Sequence, residues 1–458
     1  MKRLAILVFV GAGCATPPAT PQPDELPFAT AYLDRGATAV PAEAAVDRPH
    51  PLPPKPRAAD EMRGILAVRA ELQDVAAEDD ALADFLRKPA SRTDLEGLAF
   101  LRSPAIRAAR ERYEAARTDY RQAADLKDLV ALYRAFLRDT KTRVGPQGRP
   151  PATLYPHVDA LSGELVARNI AIAFEKLRAT IRDIVADAER AHADAARLAD
   201  ARGILAADVA LHDSLVKVLH ARLEAGKTTQ AALLAFRSRL ASLRVELEIL
   251  EQQESAVRAR WNRLLSRPES AAINLAVSSS DPAPGVSEEE SLATALVEQQ
   301  TLRIAKLSAE RAAVGVRLAE TMTLPRMDLG NRMKHPRSDF GVREAQVTEM
   351  RVRLRAAART RDAARDKTQA DTRQALFMLD AARRRWNVHS TDVVPLAARS
   401  FESTRGAYEG NRTGYIELLD SARRLLRARL GLIDTRRDFA HARARLLQAV
   451  GVRTENTK

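Results

Sequence analysis

The chain has 458 residues and a formal net charge of +13, with 29% charged but only 4% aromatic residues. Ala, Arg and Leu dominate, a balance that suits long solvated helices and argues against a sheet-built domain. A basic chain can signal nucleic-acid binding, but here Arg and Glu interleave along helical runs, so no basic stripe is left for a polyanion and no nucleic-acid partner is expected.

The first residues, MKRLAILVFVGAGCAT, place Lys2 and Arg3 before an apolar stretch, Leu4 to Val10, and small residues before Cys14. This is the layout of a secretory signal, and the stretch is too short for a permanent membrane helix. Without Lys2 and Arg3 the charge is +11. Cys14 is the only cysteine, which rules out an internal disulfide. Its place after Gly-Ala-Gly resembles a bacterial lipoprotein signal, although Gly11 stands where an aliphatic residue is usual. That resemblance implies acylation of Cys14, and Ala15, in place of Asp, implies the outer membrane. The alternative is ordinary cleavage that leaves a free thiol.

Residues 1–14 are thus read as the signal and 15–58 as a Pro- and Ala-rich tether (ATPPATPQPDELP, HPLPPKP), extended because proline disfavours helix and sheet. A short helical segment follows over 59–92.

Two repeats account for the rest, 93–268 and 287–451, with a linker over 269–286 and a tail over 452–458. TDLEGLAFLRSPAIRAARERYEAAR, from Thr93, has its counterpart in SEEESLATALVEQQTLRIAKLSAER, from Ser287. Both open on a capping-box pattern, Thr93 with Glu96 and Ser287 with Glu290. Ile106 corresponds to Leu302, 196 residues on, and Gly226 is matched to Gly410, 184 residues on. Ile170, Phe174, Leu177, Ile181 and Ile184 recur at spacings of four and three, a coiled-coil seam. The pattern resumes at Leu233, Leu240, Leu243, Leu247 and Leu250. In the second half it runs from Val342 through Leu379 and Leu396, then from Leu418 to Val450, with Pro395 expected to kink or restart the first arm. Each arm before its glycine turn is roughly 60 to 70 residues, about 100 Å at 1.5 Å per residue. The fold class is therefore all-α: two tandem repeats, each a long antiparallel coiled-coil hairpin with a glycine turn at its tip.

The tip YEGNRTGYIELLDSARRLL, together with SPAIRAA at Ser103 and QQTLRIA at Gln299, resembles the TolC-type outer-membrane efflux proteins, over roughly Thr93 to Gly451. The resemblance implies a homotrimer whose helices form a hollow periplasmic cylinder. It implies tips that face a periplasmic adaptor and, through it, an inner-membrane pump, with no covalent chemistry and no cofactor. In that family each protomer adds four strands to a shared barrel. Here the only windows are 139–163 and 324–341, rich in Pro, Gly and charge, and neither shows two alternating strands. A barrel-poor relative anchored through acyl chains on Cys14 is expected, and more than one chain is needed for stable anchoring. The alternative is a coiled-coil scaffold lipoprotein that no longer conducts.

Site residues follow from the tips. Gly226 and Gly410 allow the turns, Leu233, Leu418 and Leu419 pack the returning helices or meet an adaptor, and Lys227, Arg412 and Tyr415 are the exposed docking candidates. Ala232 stands where the family usually has Asp. His212 and His220 can share a helix face, but without a second ligand cluster they are read as surface residues and no metal is expected. Trp261 and Trp386 are read as packing residues. No GxSxG, Walker A, HExxH or dinucleotide fingerprint occurs, so no enzyme is expected.

Overall fold

The computed structural model describes residues 61–66, 68–88, 90–124, 156–274, 287–323 and 342–453. Cys14, the tether, the window 324–341 and most of 139–163 lie outside the described residues. The last part of the first window, from Pro156, is helical rather than extended.

All described elements are helical. They are α1 (Glu71–Ala77) and α2 (Asp79–Arg87) ahead of the repeats, then α3 (Arg92–Arg102), α4 (Pro104–Ala124), α5 (Pro156–Glu224) and α6 (Gln230–Leu264) in the first repeat. The second repeat has α7 (Glu288–Glu298), α8 (Gln300–Thr323), α9 (Val342–Val388), a π-turn (His389–Val393), α10 (Val394–Glu409) and α11 (Tyr415–Val450). With 69 residues, α5 is about 100 Å long. Such a helix is not stable through propensity alone and needs neighbours along its length. It packs against α4 and α6 of its own repeat and against α8 and α11 of the second.

The seam residues do the packing they were expected to do. Ile170, Leu177 and Ile181 are buried with Phe100, Ile106, Tyr113 and Leu447. Trp261 centres a second core with Leu82, Leu86, Leu95, Leu98, Ala188 and Ala191. Burial of each large aliphatic side chain contributes on the order of 2 kcal/mol, so α1 to α3 form a collar that fixes α5 and the end of α6.

The helix starts correct one reading. Ser91, not Thr93, caps α3: its hydroxyl accepts from the Asp94 amide at 3.2 Å. Thr93 lies inside the helix, and Glu96 is wholly buried instead of closing a capping box. Ser287 caps α7 as expected, accepting from the Glu290 amide at 3.5 Å. Ser91 and Ser287 are 196 residues apart, the same offset as Ile106 and Leu302, so the starts of the two repeats superpose without a gap.

The arms superpose with one interruption. The buried positions Thr372, Ala375, Leu379 and Ala382 of α9 fall on Ala188, Ala191, Ala195 and Leu198 of α5, all buried too, so the body of α9 follows that of α5 by 184 positions. At the tips the two left-handed residues, Gly226 and Asn411, are 185 apart. One extra residue therefore lies in the second arm, and the π-turn His389–Val393 absorbs it, with the Val394 amide donating to the His389 carbonyl. A π-turn fits an insertion into a helix because it widens one turn instead of rotating everything beyond it. Pro395, which donates no N–H, sits in the first turn of α10 just beyond, so the expected interruption is present as a π-turn. Across from it, Gly431 leaves room for the His389 ring, whose Cε1 would lie 2.8 Å from a side-chain carbon there.

Candidate functional site

Both tips use the same backbone device. In the first, the Gly226 amide donates to Leu223 O at 3.0 Å and the Lys227 amide to Arg222 O at 2.8 Å, with Gly226 at φ +66°. In the second, Asn411 donates to Tyr408 O at 3.1 Å and Arg412 to Ala407 O at 2.8 Å, with Asn411 at φ +56°. These bonds satisfy the last carbonyls of α5 and α10, the usual helix end with a left-handed residue. Gly226 is needed for its φ, since no neighbour lies within 4 Å of where its side chain would be. Gly410 has φ −81°, so the match of Gly226 to Gly410 is wrong. Asn is the residue besides glycine that enters this region most readily, which is the signal the sequence offered at Asn411.

Below the turns lies a shared tip core of Leu219, Ala232, Leu233, Phe236, Phe401, Tyr408, Leu418, Leu419 and Leu425. Leu233, Leu418 and Leu419 are thus occupied in packing. Ala232 is fully buried in this core. Lys227 and Arg412 are exposed and Tyr415 is half-buried. Two large apolar residues that sequence reasoning passed over, Leu234 and Ile416, stand exposed beside them.

Arg222 ties the tips together. Its guanidinium lies 4.6 Å from the Tyr408 ring centroid, donates to the Tyr408 carbonyl at 3.2 Å and bonds the Asn411 side chain. A stacked arginine that also donates hydrogen bonds has its direction fixed, so it makes one unit of two hairpins.

Further up, ionic contacts join the repeats. Asp194 takes a hydrogen bond from His441 at 2.9 Å and one from Arg260 at 3.0 Å, linking α5 to both α11 and α6. Burial pushes the Asp194 carboxyl up, but His441, Arg260 and Arg437 outweigh it and hold it below the usual range. Arg197 bonds Asp434 at 2.9 Å, Asp200 lies 3.7 Å from Arg436, and Glu189 pairs with Arg443. In the collar Glu96 meets Arg453 at 2.6 Å, and burial raises its carboxyl against the pull of Arg453 and Arg92. His192 is held neutral, at about 4, by burial and by the Arg92 charge.

His212 is a correction: it is buried, not on the surface, with Nδ1 2.9 Å from the Asp208 carbonyl and its ring 5.9 Å from Phe236. His220 is exposed and meets Glu224 at 3.2 Å instead. Among the described residues no group of His, Cys, Asp and Glu is placed to hold a metal. None of their helices is long and apolar enough to cross a membrane.

The two repeats differ most in which faces are covered. α5 is packed by α11, but the matching face of α9 and α10 carries exposed Phe377, Val388 and Leu396, with Phe377 74% exposed. By the register above, these match Ala193, Ile204 and Leu211 of α5, all buried or partly buried. The face of α11 that meets the first repeat carries Leu419, Leu426 and Leu430; its match on α6, Leu234, Ala241 and Val245, is exposed. One seam, α5 with α11, is closed within the chain. Its equivalent, α6 with α9 and α10, has both halves open.

Comparison with known proteins gives the fold its context. No protein-family model matches the chain, and no curated protein matches it. Among solved structures it is similar to the outer membrane protein VceC from Vibrio cholerae: 16% identity, TM-score 0.63, covering 80% of this chain and 99% of that one. It is also similar to the Campylobacter jejuni CmeC outer membrane channel, at 11% identity and TM-score 0.61, covering 80% and 87%. The Neisseria gonorrhoeae MtrE outer membrane channel follows, at 14% identity and TM-score 0.59, covering 78% and 88%. The chain therefore has the helical-hairpin fold of these outer-membrane channels, the fold that the tip and repeat motifs pointed to.

Proposed function

We propose that the chain is a duct subunit of a tripartite efflux or export system. Three copies close into a periplasmic cylinder, Cys14 anchors it to the outer membrane through acyl chains, and the tips dock a periplasmic adaptor that connects to an inner-membrane pump. The observation that carries this reading is the pair of open half-seams. Each copy offers an apolar face on α6 and its complement on α9 and α10, on opposite repeats. A contact between such unlike faces is head-to-tail and closes only as a ring. The fold shared with outer-membrane channels supports the same reading, and exposed Lys227, Arg412 and Ile416, with half-buried Tyr415 beside them, supply a mixed cationic and apolar surface for helices of an adaptor. Nothing in this role requires catalysis: the duct works by its shape.

The test follows from register. Within the chain Arg197 meets Asp434, and the equivalent positions are Ala381 and Ile249. Cysteines at Ala381 and Ile249 of the full-length lipoprotein are expected to cross-link copies into a ladder that ends at the trimer. A cross-linked series running past three, or monomer alone, would refute the closed ring. Docking is tested separately: Lys227→Glu with Arg412→Glu should reduce capture of the adaptor while helicity stays unchanged, and undiminished capture would remove the tips from the proposal.

A further inference from the structure

An adaptor that docks on the tips must match their charge as well as their shape. Over residues 212–241 and 397–428, which hold the two turns and the helices leading into and out of them, eleven Lys and Arg stand against six Asp and Glu, a net +5. The whole chain has 73 against 60. The tips are therefore richer in cations than the chain as a whole.

Which of these charges are already matched decides what a partner meets. Lys217 pairs with Asp213 at 2.9 Å, His220 meets Glu224 at 3.2 Å, Arg405 lies 4.0 Å from Glu402 and 3.1 Å from Glu409, and Arg423 lies 3.7 Å from Asp420. Five of the six acids are thus taken. Arg239 pairs with Glu246, and Arg222 is held by Tyr408 and Asn411. Lys227, Arg237, Arg399, Arg412, Arg424 and Arg427 are all exposed and have no acidic partner among the described residues. Glu417 is the one acid of the six in the same position. A single solvated arginine says little, but six free bases within about 20 Å of the turns, against one free acid, make a field of one sign.

The two tips repeat the feature. Lys227 directly follows left-handed Gly226, and Arg412 directly follows left-handed Asn411, so each turn ends on a free cation at the same place. Further free bases lie two to three turns into the returning helices, Arg237 on α6 and Arg424 and Arg427 on α11. Exposed Leu234 and Ile416 fall between them in sequence.

We infer that the adaptor surface received by the tips is acidic: helix ends whose carboxylates meet Lys227 and Arg412 at the turns, with Arg237, Arg424 and Arg427 drawing them in. This rests on the docking reading of the tips and adds the partner's chemistry. Unlike charges at such a rim speed encounter and reject a basic partner, while Leu234 and Ile416 supply the apolar contact that holds the complex. The docking step should accordingly be sensitive to salt.

Positive charge elsewhere on the chain provides the control. α9 has a like excess, twelve bases against six acids over Val342–Val388, but it ends about 30 Å above the turn. Its Arg355 and Arg359 are exposed and also have no acidic partner among the described residues. If charge alone mattered, they would serve as well as the tips.

The experiment follows two labelled helical-hairpin peptides, identical except for Glu or Lys around the turn, by fluorescence anisotropy on the full-length lipoprotein in detergent micelles. The Glu peptide is expected to bind at about 50 mM salt and to weaken at least about fivefold at about 300 mM, with the Lys peptide about tenfold weaker throughout. Lys227→Glu with Arg412→Glu should weaken the Glu peptide about tenfold, two exposed unlike pairs having become like ones. Arg355→Glu with Arg359→Glu should change it by less than about twofold. Circular dichroism checks that each variant keeps its helicity, as expected for exposed positions. An α9 reversal as damaging as the tip reversal would overturn the inference, because the peptide would then follow general positive charge as an anionic lipid surface or cell-wall polymer does. A Lys peptide that binds as well as the Glu peptide, or a Glu peptide that does not bind, would overturn it too. Adaptor capture judges the docking reading separately: capture lost in the tip variant yet equal at both salt concentrations would leave docking standing and remove the acidic partner, and undiminished capture would remove both.

Discussion

The two repeats have one plan but different surroundings, and the contrast shows what each is for. In the first, α5 is enclosed by α4, α6, α8 and α11 and carries ionisable groups inside: Glu189 and His192 along the arm, with Glu96 above them in α3. In the second, the equivalents of Glu96 and His192 are Leu292 and Leu376, apolar and only partly buried, while the outer face of α9 and α10 is open. Buried charge stands where the chain completes itself. Exposed apolar surface stands where a second copy is needed.

The largest effect should come from breaking the first repeat's buried charge. Arg453→Ala leaves Glu96 wholly buried with only Arg92, 3.7 Å away, and is expected to cost about 3 kcal/mol. Chemical denaturation measures it. A loss below about 1 kcal/mol would mean Glu96 is folded in protonated and needs no cation.

The same contrast has a pH signature. His192 has a folded value of about 4, against 6.5 when unfolded. Above pH 6.5 neither state binds the proton and there is no contribution. Between 6.5 and 4 only the unfolded chain binds it, so stability falls as pH falls, by up to about 3 kcal/mol. Placing the second repeat's residue there, His192→Leu, should flatten that part of the stability curve. A variant curve parallel to the parent's would remove His192 as the cause.

A swap of matched residues sharpens the comparison of faces. Ala193→Phe installs the bulk of Phe377 on the covered arm and is expected to cost about 1–3 kcal/mol by overpacking. Phe377→Ala should leave the isolated chain's stability within about 0.5 kcal/mol and yet weaken assembly, because its surface is buried only in the ring. Equal costs to the isolated chain would mean the two faces are not equivalent.

Much of this was legible before any coordinates. Apolar spacing marked the arms, because burial on a helix must recur at three and four residues, and the seam from Ile170 to Ile184 packs as its period requires. Order along the chain marked the repeat. What escaped was set by neighbours distant in sequence. Thr93 and Ser91 are both good caps, and only the backbone decides between them. His212 gives no sign that Phe236 closes over it from another helix. Arg222 looks like any solvated arginine until Tyr408, 186 positions on, lies beneath it.

The smallest effect tests the register on which the seam assignments depend. If Asn411 matches Gly226, the left-handed positions are these two, and an alanine at either must enter a region L-residues avoid. Gly226→Ala should therefore cost about 1 kcal/mol. Asn411→Ala should cost the same or slightly more, since the bond from Arg222 is lost with it. Gly410→Ala, at φ −81°, should stay within about 0.5 kcal/mol, its nearest new neighbour being the Gly406 carbonyl at 3.4 Å. Thermal melts of the three variants separate the alternatives. A costly Gly410→Ala with a neutral Asn411→Ala would return the tip register to 184, abolish the one-residue insertion at the π-turn, and move Leu396 off the row that Phe377 and Val388 define.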